Sequence, residues 1–235
     1  MSKTTSDGVE RALRRGRAYA HDDDRATGGE GGHSRGESGH SRGEGRHGRK
    51  ARAAAAARRL SERAAQDGLA DISYAALDSP FGALLLAATK RGLARVAFPE
   101  ENVDAVLDRL AQRISPRIVE ASGPLESMRR ELDEYFAGRR RRFELPLDWT
   151  LVGPFARRVL GAASHIPYGR VLTYTEVAAE AGSPRGSRAA GNALAGNPIP
   201  IVVPCHRVLR RGGALGGYAG GLERKRYLLE LEGAA

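Results

Sequence analysis

The stretch Ile199-Pro-Ile-Val-Val-Pro-Cys-His-Arg-Val208 gathers residue types that do covalent chemistry. Cys205 is the only cysteine in 235 residues, with Pro204 before it and His206 and Arg207 after it. Taken alone, such a cysteine reads as a small buried hydrophobe. It also reads as a nucleophile: an adjacent imidazole can take the thiol proton, directly or through water, and a nearby cation favours the thiolate. The abrupt change from apolar to polar residues suits the mouth of a site. Metal binding is the weaker reading, since one Cys and one neighbouring His make only half a ligand set. A single thiol excludes an intramolecular disulfide and any zinc site with two or more thiolates.

The elements just upstream are those that must deliver this thiol. Phe155, Val159, Leu160 and Ala163 mark one helix face, ending before Ile166-Pro-Tyr-Gly169. Thr173-Tyr-Thr-Glu176 fits a capping box that opens a helix through about Ala181. Gly182 ends that helix, and Ser183-Pro184 predicts the start of another, as N-cap and first-turn proline, running to about Ala195. Gly196-Asn-Pro198 breaks it. Two short helices joined by a Gly-containing turn predict a helix-turn-helix, its second helix carrying Arg185 and Arg188 among small residues.

Further upstream, Ser79-Pro-Phe-Gly82 is a turn signal before a buried strand over Ala83–Thr89. A second strand is expected over Leu93–Phe98, with the turn at Lys90-Arg-Gly92. Val103, Val106, Leu107 and Leu110 repeat at helical spacing; so do Leu125, Met128, Leu132, Tyr135 and Phe136, with Gly138 as the stop. The basic run Arg139–Arg142 reads as a solvated cluster or a phosphate contact. Pro146 and Gly153-Pro154 divide this module from the next.

Residues 1–70 differ in kind. They are rich in Gly, Arg, Ser, His and Glu, and they repeat Gly32-His-Ser-Arg-Gly-Glu37 as Gly39-His-Ser-Arg-Gly-Glu44. With so few aromatic or β-branched residues, the segment is expected to be disordered. A helix over Ala51–Gln66 is the exception that its Ala and Arg content allows. His21, His33, His40 and His47 read as solvated residues rather than a metal site. Asp22-Asp-Asp24 speaks against a transit peptide. The chain has 38 Lys and Arg against 28 Asp and Glu, a formal charge of +10. That balance favours an acidic polymer, nucleic acid before membrane. No apolar stretch approaches the roughly 18 residues of a spanning helix. The expected setting is a reducing cytoplasm, in association with the nucleoid.

Residues 154–235 resemble the catalytic domain of the O(6)-alkylguanine-DNA alkyltransferases, the methylated-DNA–protein-cysteine methyltransferases. The matching pieces are Ile166-Pro-Tyr-Gly169, Thr173-Tyr174, Arg188-Ala-Ala-Gly191, Asn197-Pro198, Pro204-Cys-His-Arg-Val208, Gly217-Tyr-Ala-Gly-Gly-Leu222, and Lys225 with Leu228-Leu-Glu-Leu-Glu-Gly233. The upstream module is similar to that family's amino-terminal domain in Ser79-Pro-Phe-Gly82, Gly92-Leu93 and Leu132-Asp-Glu-Tyr-Phe-Ala-Gly138. The resemblance implies an α+β chain of three parts. A tail over 1–70 precedes a small ribonuclease H-like sheet-plus-helix domain over 71–150. A mostly helical, winged-helix-like DNA-binding catalytic domain then occupies 154–235.

It also implies a function. A thiolate at Cys205 takes a methyl or other alkyl group from O(6)-alkylguanine, and from O(4)-alkylthymine, in a single turnover without cofactor or metal. His206 is then the water-mediated base, Glu232 orients it, and Tyr174 donates a proton to the departing guanine. The partner is double-stranded DNA, met by a monomer with no membrane contact. Arg188 fills the stack left by the flipped base, and Tyr174, Ala189, Ala190, Gly191 and Arg207 contact DNA. Asn197, Tyr218, Val208 and Gly217 form the hinge and the base pocket. The chain departs from the family in lacking a Trp near Leu160, in Gly186 and Ser187, and in lacking cysteines for an amino-terminal zinc site. A non-catalytic alkyltransferase-like protein is the alternative, and Cys205 argues against it. A cysteine hydrolase would leave the helix-turn-helix without a role.

Overall fold

A computed structural model describes residues 41–234, with side chains placed from residue 48. The expected disorder of residues 1–40, their part of the repeat, and His21, His33 and His40 lie outside the described residues. From Ser41 the expectation of disorder is corrected. The chain there is one helix, α1 (Ser41–Gln66), which begins ten residues before the predicted Ala51. Arginine, alanine, glutamate and lysine all favour helix, and neither Gly43, Gly45 nor Gly48 breaks it.

The amino-terminal module is a four-stranded sheet in the order β3-β2-β1-β4, formed by β1 (Ile72–Leu77), β2 (Leu84–Thr89), β3 (Gly92–Ala97) and β4 (Ile118–Glu120). β1–β2 and β2–β3 are antiparallel, and β1–β4 is parallel. β2 reads as an unbroken apolar run because both of its faces are covered. Leu85 and Ala87 join Ile72 and Tyr74 beneath α2 (Val103–Arg113), which supplies Val103, Val106 and Leu110. Leu84, Leu86 and Ala88 turn the other way, toward Leu125, Met128, Leu132 and Tyr135 of α3 (Glu126–Phe136) and the turn before it. This is the period-two alternation of a pleated strand. Gly92, at φ 127°, lies so close to the Pro146 carbonyl that a Cβ could not be accommodated there. That contact, with Leu93 N–H donating to Pro146 O (2.9 Å), ties the linker to the sheet.

The second module packs α4 (Pro154–Ser164), α5 (Tyr174–Glu180) and α6 (Ser187–Ala195) against one another. β5 (Leu172–Thr173) and β6 (Val208–Leu209) form a short parallel ladder, and α7 (Leu222–Leu231) closes the chain. Leu160 is fully buried, so it fills the place where the resemblance leads one to look for a Trp. The Thr173 box is present in both directions: Glu176 N–H donates to Thr173 Oγ1, and Thr173 N–H donates to Glu176 Oε2. The predicted start of α6 is corrected from Pro184 to Ser187. Residues 183–186 close a turn instead, with Gly186 N–H donating to Ser183 O (2.8 Å), and Ser183 does not cap the helix.

The two modules share one continuous apolar core, from Leu84 and Phe98 through Tyr135 to Val159, Val177, Ile199 and Leu228. Arg224 lies over the rings of both Phe81 and Phe98, and Phe81 meets Tyr227 edge-on. Among the described residues, no helix is long and apolar enough to cross a membrane.

Candidate active site

α6 ends at Gly196, and Asn197 begins the turn that delivers the cysteine. Every polar atom of the Asn197 amide is used. Its Oδ1 accepts from Ile199 N–H (3.0 Å); its Nδ2 donates to Val203 O (3.0 Å) and to Cys205 Sγ (3.1 Å). The apolar run is therefore a folded turn and not a strand. Ile201 sits at its centre with φ 75°, a left-handed conformation that is costly for a β-branched residue. Pro204 then leads into a tight 3-10 turn over Cys205–Arg207.

The Cys205 thiol is 4% exposed. Burial pushes it up to about 11, although the Asn197 hydrogen bond and the charge of Lys225 act the other way. Lys225 is itself fully buried, and burial lowers it to about 8. Its ammonium donates to Val208 O (2.5 Å) and reaches toward Gly216 O (3.4 Å).

Glu232 occupies the C-cap of α7 and is enclosed by donors. Its Oε1 accepts from Tyr135 Oη (2.6 Å), from Arg207 Nη2 (2.8 Å) and from His206 Nε2 (2.9 Å); its Oε2 accepts from Arg207 Nε (2.8 Å). Burial alone would raise the carboxyl pKa, but the His206 and Arg207 hydrogen bonds reverse the effect and hold it at about 2. An ionised carboxylate only accepts, so His206 must carry its proton on Nε2. Nδ1 is then the basic nitrogen, and it is buried with no hydrogen-bond partner among the described residues. Burial lowers the His206 pKa from its ordinary value despite the opposing pull of Glu232, which keeps the ring neutral.

Around this centre, Tyr174 opens α5, with its hydroxyl donating to Gly217 O (3.3 Å) and its ring against Gly191 of α6. A side chain at Gly216 would run into that ring. Tyr218 packs against Phe98 and stands edge-on to His206 at 6.3 Å between ring centroids; its hydroxyl is buried and unpartnered among the described residues. Arg188 and Ala189 lie exposed on α6, and Gly217 lies exposed on the loop that follows β6.

Two of the residues expected to contact DNA are buried in the free protein. Arg207 is 6% exposed, bound bidentate to Glu232 and donating from Nη1 to Ile166 O (2.6 Å), so in the free protein its guanidinium organises the carboxylate. Ala190 is fully buried and packs the helix instead of facing outward. Val208 is also fully buried, and its carbonyl serves Lys225. In the basic run Arg140 is held by ion pairs with Glu134 (2.8 Å) and Glu131 (3.3 Å); Arg139, Arg141 and Arg142 are exposed, Arg141 lying over the Tyr168 ring.

Sequence reasoning missed Tyr135, Arg95 and the part played by Lys225. Tyr135 lies on the apolar face of α3 beside Leu132, so its spacing marks it as core. Arg95 of β3 donates to Pro198 O (3.1 Å), a carbonyl that also accepts from Val96 N–H (2.9 Å), and pairs with Glu101. The amino-terminal sheet thus grips the turn that carries Cys205. Nothing in the spacing of Arg95 announces this.

Comparison with known proteins adds an independent line. The family model for the 6-O-methylguanine DNA methyltransferase, DNA binding domain matches residues 154–234, and that for its ribonuclease-like domain matches 72–149. A methylated-DNA–protein-cysteine methyltransferase from Methanosarcina acetivorans is 39% identical over 163 residues, covering 68% of this chain and 98% of the relative. The constitutive one from Bacillus subtilis is 37% identical over 163 residues, covering 68% and 94%. Among solved structures, the Mycobacterium tuberculosis O6-methylguanine methyltransferase matches with TM-score 0.59 and 36% identity, over 69% of this chain and 93% of that one. The same organism's protein in complex with DNA matches with TM-score 0.58 over the same shares.

Proposed function

The chain belongs to the 6-O-methylguanine DNA methyltransferase family, and from that premise we propose how its residues perform the reaction. It is a direct-reversal DNA repair protein that transfers an alkyl group from O(6)-alkylguanine to its cysteine. Cys205 is the acceptor, being the one thiol in the chain.

At rest the thiol is protonated, since burial holds its pKa near 11. The proton passes to Nδ1 of His206, through a water molecule, and Glu232 stabilises the imidazolium that forms. Lys225 favours the thiolate by its charge. The sulfur then attacks the alkyl carbon in line. A C–S bond forms, the C–O bond breaks, and its electron pair stays with the base. A proton from Tyr174 completes a neutral guanine, and the imidazolium proton restores Tyr174 through solvent. The thioether resists hydrolysis, so each molecule acts once. A soft sulfur nucleophile suits an sp3 carbon with a poor leaving group.

The target atom lies inside a duplex, so the base is extruded and the thiol uncovered. Exposed Arg188 on α6 enters the stack, with Ala189 and Gly191 allowing close approach of the helix. Tyr218 and the Gly216–Gly217 backbone line the pocket, where the Tyr218 hydroxyl is available to meet the base. O(4)-alkylthymine presents the same alkyl–oxygen bond and falls within the same chemistry. One chain supplies both the nucleophile and the reading helix, so we infer that the monomer is the working unit, acting on chromosomal DNA in a reducing compartment.

The observation that carries this reading is a neutral His206, held by Glu232 through Nε2 and open at Nδ1, beside the lone thiol. Incubation with a duplex bearing O(6)-methylguanine should add one methyl mass to the Cys205 peptide, with no addition in Cys205→Ser. Normal DNA binding with an unmodified peptide would refute the reading.

A further inference from the structure

All of α1 precedes the residues matched by the two family models, and its surface is unusual. Only the last turns touch the amino-terminal module, where Ser61, Glu62, Ala64 and Ala65 are half-buried. The Glu62 carboxylate accepts from Ser122 N–H (2.7 Å), Ser122 Oγ (3.1 Å) and Gly123 N–H (3.2 Å). These groups stand at the start of the 3-10 turn Gly123–Leu125 that runs into α3, an end with no side-chain cap of its own. Glu62 therefore caps it from another element, and its charge suits the positive end of that helix. This contact sets which side of α1 faces the module.

The opposite side is a stripe of arginines. At about 100° per residue, Arg49, Arg52, Arg59 and Arg63 fall within an arc of roughly 80°, diametrically across from the docked face. All four are exposed. Residues 48–66 hold six Lys and Arg (Lys50 and Arg58 are the other two) and one carboxylate, the engaged Glu62. Arg63 has a contact with Asp67 at 3.3 Å, an exposed pair easily exchanged for another anion. The remaining helix surface is mostly alanine, with Ala51 and Ala53–Ala57 all exposed, so a polymer can approach closely. At about 1.5 Å per residue the stripe runs roughly 21 Å, the length of several phosphates along a duplex strand.

We propose that α1 is a second DNA-contacting element, whose arginine stripe lies along the phosphodiester backbone and adds affinity without reading sequence. This rests on the reading of duplex DNA as the substrate. A phosphate polymer is the partner that a one-sided, exposed row of guanidinium groups fits, and the protein already meets that polymer through α6.

The test uses the full-length chain with Arg49, Arg52, Arg59 and Arg63 all changed to Gln, and a second chain with all four changed to Lys. Glutamine keeps helix propensity, and circular dichroism checks that helix content is retained. Binding of an undamaged duplex is followed by fluorescence anisotropy across a salt titration. The slope of log K against log salt should weaken by about 0.9 for each phosphate that an arginine no longer neutralises, so by about 3.6 for the Gln chain if all four are engaged. The Lys chain should keep the wild-type slope. An unchanged slope in the Gln chain overturns the proposal. So does an unchanged slope accompanied by weaker binding to anionic vesicles, which would assign the stripe to a lipid surface. Wild-type methyl transfer to Cys205, measured alongside, tests the underlying reading separately. Transfer with an unchanged slope overturns only the role of α1; a weakened slope without transfer overturns only the repair reading.

Discussion

At the level of single residues, the Glu232 carboxylate organises everything near the thiol. Three donors converge on its Oε1, and one of them, Tyr135, comes from the other module. Tyr135→Phe keeps the ring and removes that donor. A hydrogen bond to a charged group contributes about 1.5–3 kcal/mol, so the variant should lose stability on that scale by urea denaturation. It should also slow single-turnover methyl transfer, because Glu232 then holds His206 less firmly; a wild-type transfer rate would deny Tyr135 any positioning role. The pKa values set a pH dependence as well. Glu232 is held at about 2 against an ordinary 4.5, so its contribution to folding is complete above pH 4.5 and lost as pH falls toward 2. His206 is lowered from 6.5, so its contribution is complete above that value and declines below it. Denaturation midpoints should fall steadily below pH 6.5 and more steeply below 4.5. A flat profile between pH 7 and 4 would contradict both assignments. The thiol provides a further check. Iodoacetamide labelling of Cys205 in the free protein should climb through pH 9 and 10 toward an apparent pKa near 11, and a plateau by pH 8 would show that the thiolate already exists at rest.

At the level of elements, the Asn197–Cys205 turn links the reading helix to the nucleophile. Its internal fixings are the Asn197 amide and the left-handed Ile201; its external fixing is the pair of hydrogen bonds from β3 to Pro198 O. Arg95→Ala removes one of the two donors on that carbonyl. Cys205 would then be less well placed, and transfer should slow by roughly five-fold, the equivalent of about 1 kcal/mol for one hydrogen bond. DNA affinity should hold, since the Arg95 side chain is mostly buried and spends its hydrogen bonds on the Val96 and Pro198 carbonyls and on Glu101. A variant with full transfer rate would show that Val96 N–H alone holds the turn. α1 is the other element that local sequence only half describes. Its helical content follows from composition, whereas its attachment depends on Glu62 meeting two backbone amides some 60 residues away in sequence.

Across the whole molecule, the two modules behave as one body because a single apolar core runs through both. Unfolding should therefore be one cooperative transition, with Trp149 fluorescence at the module junction and loss of methyl transfer superimposing along a denaturant series. Two separated transitions would mean that the shared core adds little. Much of this protein is legible in its sequence. The strands β2 and β3, the helices α2 through α5 and the order of the modules follow from apolar spacing, turn residues and one capping box, all of which act over a few residues. The Cys205–His206 pair follows from adjacency, and the rest of the site from the motif's resemblance to a family. What the sequence reading left unassigned were β1 and β4, the latter three residues long. Nor could it supply the start of α6, where a closed turn displaces an apparent cap. The largest gap is in partners. Arg207 and Ala190 look like surface residues by type and neighbourhood, yet packing turns one onto Glu232 and the other into the core. Tyr135, Arg95 and Lys225 come to the site from distant segments. The sequence by itself determined which atoms could react and which elements would form, because those depend on residue type and near neighbours. Only the tertiary structure decided which donors surround Glu232, which nitrogen of His206 stays open and which arginines face outward, because burial and hydrogen bonding between remote segments exist only once the chain has packed.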